Sequence, residues 1–279
     1  MNFFSEETFS SPIRHYFFKT ICFALALAFA FAVFSPAQAA PVAPAGSGEA
    51  AEIASPRSTV PAYRLSQICK TVGRQEVLLS ARGLRVQHRN SGLVALFLPP
   101  YKEVFFFNSK SKKCISMPLA KFVSPFAYSW NMLFNVNIAD IPVVKAGSRD
   151  FPSRALGPIR AVQYQSTPTF VAGQQALRAR REIPSRSVQS ITYVVTDHFE
   201  APAAQGRLLQ KMYGLPAVPG VPLDMVFHDL HDTKKSYLTT SEILKAKASA
   251  ADFARPSGLS PAHTVEEVTS VVNDGIDAF

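Results

Sequence analysis

The chain has 279 residues, of which 47% are hydrophobic and 18% charged, and its formal net charge is +9. A basic protein is attracted to anionic surfaces such as lipid headgroups, or to nucleic acid. A nucleic-acid interface needs basic residues interleaved with exposed aromatic ones, whereas the aromatic residues here cluster in apolar runs such as 104–107. We therefore predict no nucleic-acid partner.

Residues 1–39 have the pattern of a signal peptide. Basic Arg14 and Lys19 come before an apolar run at 20–34, and the small-x-small pattern Ala37-Gln38-Ala39 follows. The apolar run is shorter than the roughly 20 residues that a membrane-spanning helix needs. We predict cleavage near Ala39 and export to the periplasm or the extracellular space.

Residues 40–61 are rich in Ala, Pro, Gly and Ser and contain few large apolar side chains. Such a segment cannot bury enough surface to offset the entropy lost on ordering, so it predicts a flexible lead-in. The folded part is then residues 62–279, which is long enough for one sizeable core and for a single β-rich domain.

From residue 63 to residue 117, short strand patterns alternate with turn residues, as in an antiparallel meander. In the third strand, Leu84 and Val86 share one face while Arg85 and Gln87 share the other, which predicts one face exposed to water. The predicted strands of this region are 63–70, 76–80, 84–88, 93–98, 103–107 and 113–117.

The stretch 93–108, LVALFLPPYKEVFFFN, differs from these strands because it is apolar on both faces. Residues 93–98 include no polar side chain, and residues 104–107 are apolar at odd and even positions alike. A strand with one exposed face would alternate apolar and polar residues. We therefore expect both faces of this hairpin to be covered and the hairpin to lie in the middle of a sheet.

At residues 124–135 the spacing of the apolar residues changes from that of a strand to that of a helix. Ser124 can cap a helix, Pro125 suits its first position, and Phe126, Trp130 and Phe134 recur every four residues. We expect this aromatic stripe to cover an apolar face of the sheet. Further strands are predicted at 141–144, 159–165 and 188–199, and a helix at 172–181.

Residues 200–216 give the clearest helix signal, with four large apolar residues on one face and Gly214 as the C-terminal stop. The stretch 221–244 predicts a hairpin in which Leu223 and Phe227 share one face. Near the C-terminus, Thr264 and Glu267 have capping-box spacing, which predicts a short amphipathic helix.

The order of these elements favours an α+β fold. We predict one strongly curved antiparallel sheet, a half-barrel, with helices packed in its concave face. The hairpin at 93–107 would then have the inserted helix on one face. Loops, the lead-in segment or a bound apolar partner would cover the other.

Three stretches resemble the exported half-barrel proteins typified by the bacterial outer-membrane lipoprotein carriers and their relatives of unknown function. Residues 76–119 are similar to the family's early run of strands. Residues 191–227 are similar to a strand, a connecting segment and a G-x-P-L strand start at 220–223, and residues 237–259 to a closing strand with an F-x-x-P-x-G ending at 253–258. The resemblance implies that an acyl chain binds between a concave sheet and helices. The region 145–183 does not align with the family, and no functional residue is carried over.

Residues with metal-ligating or catalytic chemistry form no recognisable constellation. In the cluster FHDLHD at 227–232, a regular strand would direct His228 and His231 to opposite faces, so we predict no metal site. The sequence has no Gly-x-Ser-x-Gly elbow and no local signature of a catalytic cysteine. We expect no cofactor and no enzymatic activity. A hydrolase assembled from residues distant in sequence is the least favoured alternative.

Two cysteines, Cys69 and Cys114, follow the predicted cleavage site. In an oxidising compartment such a pair is a disulfide candidate, and two buried free thiols are the alternative. Both interpretations fit the sequence.

Together these features favour an exported, non-enzymatic protein that binds an acyl chain, a lipid or a lipidated protein. An anionic membrane surface is a further partner that the net charge suits. The main alternative is an envelope structural or protein-interaction module whose sheet is filled by its own helices. A register shift of one residue would exchange each lining residue for its neighbour. The predicted lining residues are Phe97, Phe105, Phe107, Phe126, Trp130 and Phe134.

Overall fold

About half of the described residues belong to one sheet of twelve strands. The structure, a computed structural model, describes residues 58–124, 136–183, 187–229, 231 and 233–269. The predicted signal peptide, the lead-in up to residue 57 and residues 125–135 of the predicted aromatic helix lie outside these ranges. Within them the sheet is accompanied by α1 (Pro168–Ala179), α2 (Ala203–Tyr213) and α3 (Val265–Thr269), so the fold is α+β, as predicted.

The first six strands follow one another as an antiparallel meander, in agreement with the sequence pattern. Among the later strands, helices separate β8 from β9 and β9 from β10, and short 3-10 turns precede β7 and β12. The strands are β1 (Thr59–Cys69), β2 (Gly73–Ser80), β3 (Gly83–His88), β4 (Leu93–Phe97), β5 (Glu103–Asn108), β6 (Lys113–Pro118), β7 (Val143–Phe151), β8 (Ile159–Ser166), β9 (Val188–Thr196), β10 (Val221–Asp229), β11 (Lys234–Ser249) and β12 (Ser260–Pro261).

The strand order in the sheet is β12-β6-β5-β4-β3-β2-β1-β11-β10-β9-β8-β7. Leu65 on β1 lies between Val77 on β2 and Ile243 on β11, so the beginning and the end of the folded part meet in the sheet. All neighbouring pairs are antiparallel except β12, which runs parallel to β6 and makes the sheet mixed. The register shifts in the β1–β11, β10–β11 and β7–β8 pairs mark bulges, which bend strands, and the predicted curved sheet fits these bulges.

The predicted boundaries that the structure corrects include the start of β1 and the end of β7. Strand β1 begins at Thr59, inside the segment 40–61 that composition predicts to be flexible, because its backbone pairs with β11 from Thr59 onward. Strand β7 extends to Phe151, whereas the prediction ended at residue 144. Most side chains of β7 are exposed, and a strand at the edge of a sheet does not need the apolar pattern that sequence reasoning detects.

One face of the sheet, which we call the helix face, carries the main core. Leu65, Leu79, Val86, Phe97 and Phe106 lie on this face and are almost completely buried. Helix α2 packs here through its apolar side, which includes Leu208, Leu209, Met212 and Tyr213. Gly214, in the left-handed conformation at φ 66°, ends the helix where the sequence predicts.

The opposite face of the sheet, which we call the strap face, is crossed by residues 249–262, the strap. Phe253 of the strap packs against Ala62 and Leu78, and the guanidinium of Arg85 donates to the carbonyl oxygen of Asp252 at 3.0 Å. Further along, β12 pairs with β6. The strap is therefore attached to the sheet at several points along its length.

Of the other two helices, α1 has 12 residues and α3 has 5. Helix α1 begins at Pro168 rather than at residue 172, because Thr167 caps it and accepts a hydrogen bond from the Phe170 backbone N–H. Helix α3 begins at Val265, and Thr264 accepts a hydrogen bond from the Glu267 backbone N–H at 3.3 Å, as the capping pattern predicts. None of the described helices has the length and apolarity of a membrane span.

Cys69 and Cys114 are both free thiols, so the predicted disulfide candidate is wrong. Cys69 lies on β1 in the main core of the helix face, whereas Cys114 lies on β6 beside the apolar cluster of the strap face. Four strands, β2 to β5, separate them in the sheet. Burial raises the pKa of the Cys69 thiol, against hydrogen bonds from Thr71 and Val72 that lower it.

Candidate functional site

The β4–β5 hairpin is buried on both faces, as its sequence predicts. Leu96 lies opposite Phe105, and Ala95 lies opposite Phe106. Because side chains of opposed residues point to the same face, Leu96 and Phe105 face the strap while Phe106 and Phe97 face the main core. On the helix face, Phe97 and Phe106 both contact the Phe122 ring, at centroid distances of 6.1 and 5.6 Å.

The strap explains why the second face of the hairpin is apolar. Val94, Leu96, Phe105 and Phe107 form a separate buried cluster there, and Leu259 of the strap packs against it. The Phe105 and Phe107 rings are 5.8 Å apart between centroids. The chain itself therefore covers part of this face.

Beside this cluster lies a groove of about 610 Å³, which is the candidate ligand site. Its walls come from the end of β4, the turn between β4 and β5, the facing part of β6 and one residue of the strap. Seven of its lining residues are apolar, of which Met117 packs its side chain against the main core, and three carry charge. The lining residues are Leu96, Leu98, Pro99, Pro100, Lys102, Glu103, Phe105, Ser116, Met117, Pro118 and Arg255.

Arg255 attaches the strap to the rim of the groove. Its guanidinium forms an ion pair with Glu103 and lies 4.6 Å from the centroid of the Phe105 ring, which is a cation–π geometry. The Ser116 hydroxyl donates to the other Glu103 oxygen at 2.9 Å. This hydrogen bond and the Arg255 guanidinium lower the pKa of Glu103 below its usual value, so the carboxylate that holds Arg255 stays ionised at neutral pH.

The wall formed by the β4–β5 turn is connected to the main core. The Tyr101 backbone N–H donates to the Leu98 carbonyl at 2.7 Å, which closes the turn. Gln205 of α2 reaches the same turn: its Nε2 donates to the Tyr101 hydroxyl at 2.8 Å and to the Ser80 carbonyl at 2.7 Å. A fully buried helix residue thus fixes the position of a groove wall.

A second groove on the strap face is smaller and polar. It has a volume of about 200 Å³, and Arg64, Glu76, Arg85 and Asp252 are among its lining residues. Two carboxylates balance the two guanidinium groups, so the groove offers no excess charge to a ligand. Burial lowers the pKa of Arg85, while the nearby Asp252 carboxylate raises it.

The interface between α2 and the sheet is filled by side chains. The Tyr213 hydroxyl donates to Gln67 at 2.9 Å, and Gln67 in turn donates to Thr240 and to the Pro222 carbonyl. The Tyr237 hydroxyl donates to the Tyr213 carbonyl at 3.0 Å. These hydrogen bonds satisfy polar groups that would otherwise be costly to bury between two apolar surfaces.

The described residues of the histidine-containing cluster are 227–229, which end β10, and His231, which lies in the turn that follows. Asp229 accepts hydrogen bonds from the backbone N–H groups of His231 and Thr233 and from the Lys235 ammonium, all between 2.8 and 2.9 Å. These hydrogen bonds occupy the Asp229 carboxylate and stabilise the turn. Across the described residues, no group of three or more His, Cys, Asp or Glu side chains could hold a metal ion.

His88 and Ser91 form a close histidine–serine pair. His88 Nδ1 lies 2.6 Å from Ser91 Oγ and also accepts a hydrogen bond from the Ser91 backbone N–H at 3.1 Å. Ser91 is 4% exposed, and its Oγ also accepts from the Leu93 backbone N–H. The pair therefore closes the β3–β4 turn, and the serine oxygen is not presented to solvent as a nucleophile would be.

The structure separates the six predicted lining residues. Phe105 lies in the groove, Phe107 lies in the adjoining apolar cluster, and Phe97 lies on the opposite face. Phe126, Trp130 and Phe134 lie outside the described residues. Phe97 and Phe105 therefore cannot line the same side of the sheet, contrary to the prediction.

Sequence reasoning missed most of the lining residues, among them Leu96, Lys102 and Arg255. Leu96 could have been found, because it belongs to the same two-sided apolar run as Phe97. Arg255 carries no local signal, since it reaches the groove only through the path of the strap.

No protein-family model matches the chain, and no curated protein matches it. Among solved structures, the chain is similar to the crystal structure of an uncharacterized conserved protein from Thermus thermophilus. The two share 12% sequence identity with a TM-score of 0.37, over 73% of this chain and 90% of that chain. A likeness of this size carries no information about function.

Proposed function

We propose that this is an exported, non-enzymatic binding protein for an apolar ligand, namely an acyl chain, a lipid or a lipidated protein. The ligand lies in the groove on the strap face. One observation carries the proposal: a groove of about 610 Å³ with a mostly apolar lining opens beside Phe105. Ligand sites for small molecules have volumes of about 300 to 1,000 Å³ and are lined mostly by apolar residues with a few polar groups.

The fold that accompanies this proposal is a half-barrel similar to that of the lipoprotein carriers, with α2 on the concave side. The buried apolar side of α2 against the helix face supports this arrangement. The ligand site differs from the one that the resemblance implies, because it lies on the other face of the sheet. Export rests on the signal-peptide pattern of residues 1–39.

A second candidate function is an envelope interaction module. The observation that favours it is the filled interface between α2 and the sheet, where Tyr213, Gln67 and Thr240 are joined by hydrogen bonds. A sheet whose helix face is occupied by its own helix offers little room for a ligand there. In that case the groove would receive a side chain of a partner protein.

Native mass spectrometry of the purified chain, before and after incubation with dodecanoate, distinguishes the two functions. Ser116 is exposed on the wall of the groove, and Ser116→Trp would fill part of it. Ser241→Trp is the matched control, because Ser241 is also an exposed strand serine with one hydrogen bond, from its hydroxyl to the Ser66 carbonyl. Residue 241 does not line the groove.

We expect a bound ligand mass in the parent chain and in Ser241→Trp, and a much smaller fraction bound in Ser116→Trp. The absence of any bound ligand in all three proteins would favour the interaction module. Equal binding by Ser116→Trp and the parent chain would exclude this groove as the site.

A further inference from the structure

We propose that the ligand of the groove is a free fatty acid, a single acyl chain that ends in a carboxylate, and that Lys102 selects it. This inference rests on the proposed function. It adds the chemical class of the ligand head and the residue that recognises it. The observation behind it is the distribution of charge around an otherwise apolar groove.

The three charged residues of the groove differ in how they are paired. Arg255 is already occupied, because its guanidinium pairs with Glu103 and stacks on Phe105. Lys102 lines the same groove and is exposed, and among the described residues no carboxylate lies within ion-pair distance of its ammonium group. The groove therefore carries one cation in excess.

A backbone hydrogen bond fixes the main chain at Lys102, which is one of the lining residues of the groove. Its carbonyl oxygen accepts a hydrogen bond from the Leu119 backbone N–H at 2.8 Å, which joins the start of β5 to the end of β6. Leu98 and the two prolines of the turn lie beside it in the lining, so an apolar surface adjoins the cation. An ammonium group at the edge of an apolar groove is complementary to a ligand with an apolar chain and an anionic head.

Glu103 disfavours binding of a ligand carboxylate beside Arg255. Its carboxylate is directed to Arg255 and Ser116, and these contacts lower its pKa below the usual value. A second anion that approached Arg255 would have to displace or face this carboxylate. The ligand head is therefore expected beside Lys102 and not beside Arg255.

The volume of the groove fits a single chain. At about 610 Å³ it falls within the range of small-molecule sites, and its lining residues come from β4, the β4–β5 turn, β5, β6 and the strap. We therefore infer a one-chain amphiphile whose head stays at the surface. A carboxylate so placed gains a charge-assisted hydrogen bond from the Lys102 ammonium group.

The test compares dodecanoate with dodecanol, which have the same chain length and differ in the charge of the head. Their affinities are measured at pH 8 by displacement of the neutral fluorescent probe N-phenyl-1-naphthylamine. The proteins are the full chain, Lys102→Gln, Lys102→Arg and the matched control Lys245→Gln. Lys245 is an exposed strand lysine outside the groove, so its replacement changes the net charge equally.

We expect the parent chain, Lys102→Arg and Lys245→Gln to bind dodecanoate about three- to tenfold more tightly than dodecanol. In Lys102→Gln the two affinities should become equal, with the affinity for dodecanol unchanged. Equal affinities in the parent chain, or a preference that persists in Lys102→Gln, would overturn the inference and leave the proposed function intact. Binding of neither compound by the parent chain would overturn both.

Discussion

Phe97 and Phe105 lie on opposite faces of one hairpin, because Leu96 and not Phe97 is opposite Phe105 in the register of β4 and β5. Phe97 is completely buried against Phe122 in the main core. Phe105 is 7% exposed and lies in the wall of the groove, beneath the guanidinium of Arg255. Two phenylalanines close in sequence thus have different surroundings.

The two phenylalanines should respond differently to truncation. Phe97→Ala should lower the free energy of unfolding by about 3 to 5 kcal/mol, because it leaves a closed cavity in the core. Phe105→Ala should cost about 1 to 3 kcal/mol, since the space it leaves opens into the groove. Urea denaturation measures both values. A cost for Phe105→Ala as large as that for Phe97→Ala would contradict this assignment of the two faces.

Two helical glycines should respond in opposite directions to alanine. In α2, a Cβ at Gly206 would lie 2.3 Å from the Gly220 carbonyl oxygen, so the backbones would have to separate. In α1, a Cβ at Gly173 would meet nothing within 4 Å. Gly206→Ala should therefore destabilise the protein by about 1 to 3 kcal/mol despite its better helix propensity. Gly173→Ala should stabilise it by about 0.5 to 1 kcal/mol.

Thermal or urea unfolding of the two alanine variants gives the comparison directly. Because the two substitutions are expected to change the free energy of unfolding in opposite directions, each variant is the control for the other. If both were stabilising, α2 would not approach Gly220 as closely as described.

The close packing of α2 also shows what the sequence can and cannot predict. The helix itself was predictable from its apolar face and Gly214, and the structure confirms it. That Gly206 of this helix rests on Gly220 was not predictable, because the contact depends on how the helix is placed on β10. Apolar periodicity specifies which side of a helix is buried, but not which strand it meets.

The candidate site was predicted only in part for the same reason. A run that is apolar on both faces predicted that the β4–β5 hairpin is covered twice, which is correct. The register in which β4 and β5 pair decides whether Phe97 or Leu96 lies on the same face as Phe105. The apolar pattern of the two strands does not determine that register. The strap reaches Phe105 through Arg255, 150 residues further along the chain, and no local pattern indicates such a contact.

The Asp229 carboxylate should make the last hairpin sensitive to acid. Burial alone would raise its pKa, but the Lys235 ammonium and the backbone N–H groups of Thr233 and His231 outweigh this and lower the pKa to about 2. A carboxyl group that titrates near 3.8 in the unfolded chain then contributes stability above about pH 4 and loses it as the pH falls towards about 2.

Asp229→Asn should remove this contribution. At pH 7 we expect a loss of about 1 to 3 kcal/mol, the usual value for hydrogen bonds to a charged group. Between pH 4 and pH 2 the variant should lose less stability than the parent chain. Asp150→Asn on the exposed edge of β7 is the matched control. A parallel decline of the Asp229→Asn variant and the parent chain over this range would contradict the prediction.

The stability of the protein should also depend on pH through His88, at higher pH than through Asp229. Burial lowers the pKa of its imidazole below 6.5, against a hydrogen bond to the Val72 backbone, and Lys110 lowers it further. The neutral ring accepts the Ser91 backbone N–H at Nδ1. Because the unfolded chain takes up the proton more readily, this contribution is complete above about pH 6.5 and declines as the pH falls below that value.

His88→Gln should flatten the stability profile between pH 7 and pH 5. His263→Gln, at an exposed position outside the sheet, serves as the control and should keep the slope of the parent chain. Chemical denaturation at a series of pH values provides the measurement. If the slope survived in His88→Gln, another group would have to be responsible.

The most direct test of the groove as the ligand site is photo-crosslinking with a fatty acid that carries a diazirine on its chain. After irradiation, digestion and mass spectrometry locate the modified residues. We predict modification within residues 96–105 and 116–118, reduced by excess dodecanoate and by Ser116→Trp but not by Ser241→Trp. Modification confined to α2 or to residues 125–135 would contradict a site on the strap face.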